Sequence, residues 1–245
     1  MANPKYLLLQ VRNPGDQMAG HEVECFAKKL GCDATDIICL NLIGTETADN
    51  LLKKVDVVLV GGSGDYSVVT GGDWLEPALD FFRELHRTGK PTFASCWGFQ
   101  AFAKALGGDV VTDLKRAEVG TLELKLSDYS KSDPLFGPVF GPLGKSFFAQ
   151  MGHQDIVDTL PDGAELLCSS DKVTNHAFTF PGKPIYCTQF HPELEKDDLI
   201  KRLVAYPEYV QKITGMEMAK FIESCSETPE TGSLLERFVQ LIFGQ

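Results

Sequence analysis

The stretch that most constrains this chain is Pro91-Thr92-Phe93-Ala94-Ser95-Cys96-Trp97-Gly98-Phe99-Gln100. A short apolar run ends at Cys96, and Phe99, Phe102, Ala103 and Leu106 then recur at helical spacing. A strand that turns at once into a helix, with a nucleophile at the corner, is the layout of a nucleophile elbow. Strand and helix pass closely at such a corner, so small residues are needed two places before and two after it; here they are Ala94 and Gly98. A sulfur held there meets the unpaired N–H groups and the positive dipole end of the helix, which favour thiolate over thiol. Taken alone, the same residues also fit a buried core cysteine at a strand end.

The flanking chain sets the fold class. Residues 6–11 form an apolar run of core-strand length, too short for a signal sequence. Asn13-Pro14-Gly15-Asp16 is a turn signal, residues 22–30 suit a helix that Gly31 stops, and residues 37–40 form a second short apolar run. Residues 47–54 suggest a short helix. Residues 55–60 run apolar into Gly61-Gly62-Ser63-Gly64, and near-continuous β-branched runs fit parallel strands buried on both faces. The glycine cluster leaves backbone N–H groups open to an anion, or is a flexible loop; it lacks the Lys-Ser/Thr ending of a nucleotide-binding loop.

Residues 73–87 predict a helix capped by Asp73, with Trp74, Ala78, Phe81, Phe82 and Leu85 as its apolar stripe. Strands alternating with helices predict an α/β fold: a flavodoxin-like, open, mostly parallel sheet with helices on both faces. Ligands in such folds sit at the carboxyl ends of strands, where both the glycine cluster and Cys96 lie. Beyond Gly107-Gly108 a smaller strand-rich subregion is expected, with strands over 119–126, 146–151, 165–169, 175–180 and 185–190. Residues 132–144, rich in Pro and Gly, read as a loop. From Lys196 the pattern is helical, over 196–205, 207–224 and 233–243, with 226–232 as a polar linker. The expected organisation is one domain over residues 1–195 and a C-terminal helical extension over 196–245 packed on it, with a homodimer contact as second choice for its apolar faces.

Composition excludes several classes. With 23 Lys and Arg against 34 Asp and Glu the net charge is −11, which disfavours nucleic acid and anionic membranes. No stretch approaches the roughly 20 apolar residues of a membrane span. Seven cysteines, an odd number with scattered spacing, suggest neither a disulfide framework nor a zinc site, and point to a reducing cytoplasm. No metal or cofactor is expected.

A catalytic cysteine needs a base, and the base needs an orienting group. His21 and His86 fall on predicted helices and read as solvated; His176 falls in a strand-rich stretch without a nearby acid. His191 ends an apolar run and precedes Pro192, which pushes it to an extended conformation. Residues two apart on an extended chain point the same way, so Glu193 is placed to accept the His191 ring N–H. A surface His-Pro-Glu turn is the alternative for that segment alone.

Together, Gly61-Gly62, the Ala94-Ser95-Cys96-Trp97-Gly98-Phe99-Gln100 elbow and Phe190-His191-Pro192-Glu193, in this order, resemble the class I (triad) glutamine amidotransferases over about residues 5–195. Glu118-Val119-Gly120, His153-Gln154-Asp155 and Leu160-Pro161-Asp162-Gly163 are similar to the GMP synthetase amidotransferase version. The chain departs from the family in having Ala94 for the first elbow glycine and Ser63 where proline is frequent. About 50 residues follow Glu193, too few for an ATP-binding synthetase domain.

The resemblance implies that Cys96 attacks the side-chain amide of glutamine, that His191 protonates the departing ammonia and that Glu193 orients His191. It implies an oxyanion hole of the Gly62 and Trp97 backbone N–H groups and a substrate pocket touched by Gln100, His153 and Gln154. The expected function is a glutaminase supplying ammonia, with a separate synthetase subunit as its candidate partner. The alternatives are a γ-glutamyl peptidase or hydrolase on the same scaffold and, less favoured because Cys96, His191 and Glu193 are intact, a non-catalytic binding homologue.

Overall fold

Val57-Val58-Leu59-Val60 has no polar position, and a strand with no polar face must be covered on both sides. The computed structural model, which describes residues 4–44 and 49–244, shows how. Its strands are β1 (Tyr6–Gln10), β2 (Ile37–Asn41), β3 (Val57–Val60), β4 (Thr92–Ser95), β5 (Asp109–Thr112), β6 (Glu118–Leu126), β7 (Ser146–His153), β8 (Asp155–Thr159), β9 (Glu165–Ser169), β10 (Ala177–Thr179) and β11 (Ile185–Thr188). Nine form one sheet in the order β2-β1-β3-β4-β11-β10-β9-β6-β7, and β5 pairs with β8 separately. From β2 to β11 every pairing is parallel, in the flavodoxin-like order. From β11 to β7 every pairing is antiparallel, which is the strand-rich subregion.

The period of two along the parallel strands splits the core. Leu7, Leu9, Val58 and Val60 join Phe82 and Phe102, from helices Leu75–Thr88 and Trp97–Ala105, on one face. Leu8, Leu59 and Phe93 join Phe26, from helix Gln17–Leu30, and Phe238, from helix Leu234–Phe243, on the other. Phe238 stacks edge-on against Phe93 at 5.5 Å between centroids and against Tyr186 at 5.9 Å, a burial whose truncation to alanine typically costs about 3–5 kcal/mol. Helices Lys196–Ala205, Pro207–Thr214 and Met218–Ser224 form a third cluster through Leu199, Leu203, Val210 and Phe221, packed on Cys25 and Val119.

Several boundaries differ from expectation. The first helix begins at Gln17 because the Asp16 side chain caps the Met18 N–H. Asp73 does not cap the next long helix: Trp74 occupies the cap position without a side-chain bond, and Leu75 N–H donates to the Gly72 carbonyl. Thr47 and Ala48 of the expected short helix lie outside the described residues; Asp49–Leu52 is helical. The expected loop over 132–144 holds the helical turn Phe136–Phe140, whose two phenylalanines are fully buried. The expected helix over 207–224 breaks at Gly215, which takes φ +68° as a left-handed cap. The expected polar linker contains the turn Pro229–Gly232, tied down where Thr231 Oγ1 donates to the Phe148 carbonyl at 2.6 Å.

Candidate active site

Three consecutive parallel strands, β3, β4 and β11, end on one side of the sheet, and each hands a residue to one cavity. After β4 the chain turns at Cys96 with φ +52°, ψ −102°, the only positive φ among the described non-glycine residues. The turn is fixed by the Cys96 N–H donating to the Thr188 carbonyl on β11 at 2.7 Å. A Cβ on Gly98 would stand 2.7 Å from Val60 and 3.1 Å from the Ala94 Cβ, which is why both elbow positions are small. Trp97 opens the following helix, so its N–H has no partner within that helix.

After β11, His191 and Glu193 are brought together as the extended His-Pro-Glu geometry requires: His191 Nδ1–H donates to Glu193 Oε1 at 2.7 Å, with both side chains buried. After β3, Gly62 sits between the other two corners. A Cβ there would be 3.1 Å from His191 Cε1 and 3.8 Å from Cys96 Sγ, so only glycine leaves room for both. Burial by itself would lower the His191 imidazole, but Glu193 and the Cys96 sulfur outweigh it and push the value up to about 10. Burial likewise would raise Glu193; His191 and Arg202 instead hold it down at about 2.

The structure extends this pair into a row of alternating charges that the sequence did not disclose. Arg202 Nη1 donates to Glu193 Oε1 at 3.4 Å, and its Nη2 lies 3.8 Å from Glu22 Oε1. Glu22, fully buried, also accepts from Arg12 Nη2 at 3.1 Å and from Gln10 Nε2 at 3.0 Å. The one signal in the sequence was position: Glu22 lies on the same helix stripe as the buried Met18, Cys25 and Phe26.

Glu22 also corrects one expectation. The Gly62 N–H, expected as an oxyanion donor, donates to Glu22 Oε1 at 3.1 Å. Gln100 borders the cavity, but its amide N–H groups go to the Asp155 carbonyl at 3.0 Å and to Gln189 Oε1 at 3.1 Å. His153 borders it too, with its ring turned to Glu118 and the Asp155 carbonyl. Gln154 is half-buried and accepts from Lys212 Nζ at 3.2 Å. The cavity measures about 410 Å³, and Leu199, Leu203, Tyr206 and Tyr209 form part of its wall.

Two expectations about histidines fail. His21 is buried, its Nε2 3.3 Å from Asp198 Oδ1. His176 does have a nearby acid, Glu118, whose Oε2 lies 2.8 Å from His176 Nε2. These make two groups of metal-capable side chains among the described residues, His21–Cys25–Asp198 and Glu118–His153–His176. Burial lowers the His153 imidazole from its ordinary value, against the pull of Glu118.

Comparison with known proteins agrees with this geometry. Residues 27–204 match the family model for glutamine amidotransferase class-I. The chain is 29% identical over 187 residues to the glutamine-hydrolyzing subunit of GMP synthase from Sulfurisphaera tokodaii, covering 76% of this chain and 85% of that one. It is 28% identical over 186 residues to gamma-glutamyl peptidase 3 of Arabidopsis thaliana, covering 75% and 70%. A solved glutamine amidotransferase from Thermotoga maritima shares the fold with a TM-score of 0.73 over 99% of both chains at 20% identity. No described helix is long and apolar enough to cross a membrane.

Proposed function

We propose, from the premise that this chain belongs to the class-I glutamine amidotransferase family, that it hydrolyses the side-chain amide of glutamine to glutamate and ammonia through a thioester on Cys96. Cys96 Sγ attacks the amide carbon, and the oxygen takes up negative charge at the start of the Trp97–Ala105 helix, where the Trp97 N–H is free to receive it. Gly62 joins as second donor once its N–H leaves Glu22. His191 gives its proton to the nitrogen as the C–N bond breaks, and ammonia departs. Neutral His191 then takes a proton from the water that attacks the thioester; the C–S bond breaks, and glutamate leaves with the thiolate–imidazolium pair restored. Glu193 fixes the ring through Nδ1 and stabilises its charge. Gln154 contacts the amino-acid end of the substrate, while Gln100 and His153 hold the wall that the substrate rests on.

The observation that carries this reading is the convergence of Cys96, Gly62 and His191 from the ends of three adjacent parallel strands, with Glu193 on His191 Nδ1. Ammonia released this way suits delivery to a separate synthetase, as the name of the Sulfurisphaera relative implies for that protein. A second reading, hydrolysis of γ-glutamyl peptides, is favoured by one feature: residues of 199–209 line the cavity, so the chain walls its own pocket on a side a synthetase would otherwise meet. A glutamate-release assay on free glutamine and on γ-glutamyl dipeptides, with Cys96→Ala as blank, tests both. Faster Cys96-dependent release from glutamine supports the first reading and faster release from dipeptides the second; no Cys96-dependent release from either overturns both.

A further inference from the structure

We propose that Glu118, His153 and His176 form a binding site for one divalent metal ion, of the kind that suits Zn²⁺, buried beside the cavity wall. Glu118 starts β6, His153 ends β7 directly opposite it in register, and His176 immediately precedes β10. Their side chains are almost wholly buried, at 5%, 2% and 0% exposure. Glu118 Oε2 lies 3.2 Å from His153 Nε2 and 2.8 Å from His176 Nε2. Ligand atoms bound tetrahedrally at about 2.0–2.1 Å are about 3.3 Å apart, so the three atoms are nearly spaced as a coordination shell.

The proton positions argue the same way. His153 Nδ1 lies 3.1 Å from the Asp155 carbonyl, an acceptor that only an N–H satisfies. With the proton on Nδ1, Nε2 presents a lone pair to a carboxylate oxygen, and two lone pairs facing each other in a dry interior need a cation between them. A ring N–H on a backbone carbonyl is also the usual support for a metal-binding histidine. His176 is more telling. Despite the 2.8 Å approach to Glu118, neither of its ring nitrogens has a hydrogen-bond partner, in a side chain with no exposure. A lone pair aimed at a shared centre, not at the neighbouring oxygen, has this appearance. Glu118 Oε1 accepts from Ser170 Oγ at 2.8 Å, which fixes the carboxylate from behind. Two imidazoles and one carboxylate are a ligand set that Zn²⁺ accepts. None of these three groups is needed for proton transfer at Cys96. The ion would clamp the start of β6, the end of β7 and the approach to β10, and so hold the 152–155 wall, where the Gly152 carbonyl faces Cys96 Sγ at 3.7 Å.

The test is metal analysis of untagged full-length protein purified without chelator. The expected result is about one zinc per chain, lost on dialysis against dipicolinate and recovered on titration with Zn²⁺. Cobalt titration of the stripped protein should give visible d–d bands without the near-ultraviolet thiolate charge-transfer absorption, and should do so equally in Cys25→Ser and Cys96→Ser. His176→Gln and Glu118→Gln, checked for folding by circular dichroism, should lose the ion; Ser170→Ala should weaken its binding by about 10-fold. A folded wild-type protein that neither carries metal nor takes up Zn²⁺ or Co²⁺ saturably overturns the proposal and leaves two imidazoles sharing one carboxylate through protons. Thiolate bands that vanish in Cys25→Ser or Cys96→Ser place the ion at another cluster and overturn it equally.

Discussion

Two buried ionic clusters flank the cavity, and they are built on opposite plans. Around Glu193 the charges alternate: Cys96, His191, Glu193, Arg202, Glu22, Arg12, with each carboxylate between two cationic groups. Around Glu118 two imidazoles converge on one carboxylate oxygen, and two ring nitrogens are left without a hydrogen bond. Desolvating charges is expensive unless each is matched. The first cluster meets that cost by itself and keeps one end, the Cys96–His191 end, at the cavity. The second does not meet it with protein groups alone. One cluster is arranged to move a proton, the other to hold something still.

Perturbing the two clusters should therefore separate turnover from stability. The largest effect is expected at the cavity end: Cys96→Ala or His191→Ala should lower glutamate release by about 10⁴-fold or more, with the double variant no worse than the singles, since they act as one unit. A glutamine-analogue diazoketone should label Cys96 and spare Cys25, Cys168 and Cys187, whose thiols burial pushes up, Cys25 to about 12. Multiplicative losses, or labelling spread over several cysteines in mass spectrometry, would break the assignment.

Glu193→Gln comes next. It should lower turnover by about 10²–10⁴-fold through loss of the oriented, charge-stabilised imidazole. It should also cost about 3 kcal/mol of stability by leaving Arg202 unpaired. That second cost has a pH signature. The His191 contribution, from a value raised to about 10, is complete below the ordinary histidine range and disappears as pH climbs through about 10. The Glu193 contribution, from a value lowered to about 2, is complete above the ordinary carboxylate range and disappears as pH falls through about 2. The melting-temperature gap between wild type and variant should be widest between about pH 4.5 and 6.5 and shrink on either side; a gap that grows toward pH 10 would contradict the pairing.

Glu118→Gln, in the second cluster, should cost a comparable 3 kcal/mol or so in a denaturant titration, with turnover affected less than by Glu193→Gln. The reverse ranking would mean that the clusters do not divide labour in this way. The smallest effect is expected for Glu22→Gln. It keeps the shape while weakening the hold on the Gly62 N–H, and should change kcat by about 10-fold or less with KM nearly constant, the pattern of an interaction made in the transition state. A change confined to KM would show that Gly62 does not serve the oxyanion.

The sequence disclosed those parts of the molecule whose cause is local. The parallel strands were legible because a fully buried strand writes itself as an unbroken apolar run, as in Val57–Val60. Cys96, His191 and Glu193 were legible because an elbow and an extended His-Pro-Glu carry their geometry within a few residues. β5 and β8 were missed because each is short and bounded by acidic residues, Asp109 and Asp155, that read as loop. The helical turn at Phe136–Phe140 was hidden by its prolines and glycines, although its two phenylalanines fill the core under β7. Glu22, Arg202 and His176 were illegible for another reason: their partners are distant in the chain, as in the Glu22–Gly62 bond across 40 positions. Helical or strand period reports a face, not what the face meets.

The backbone at Cys96 has a further meaning for how such a chain changes over time. A side chain held at φ +52° costs on the order of 1–3 kcal/mol relative to a relaxed conformation, a cost that glycine does not incur. The residue best suited to fold this corner is thus not the one that gives it chemistry. Drift from Cys96 to glycine would be a downhill step for the fold and a terminal one for turnover, so a lineage of this chain keeps its nucleophile only while selection on the reaction opposes its own stability.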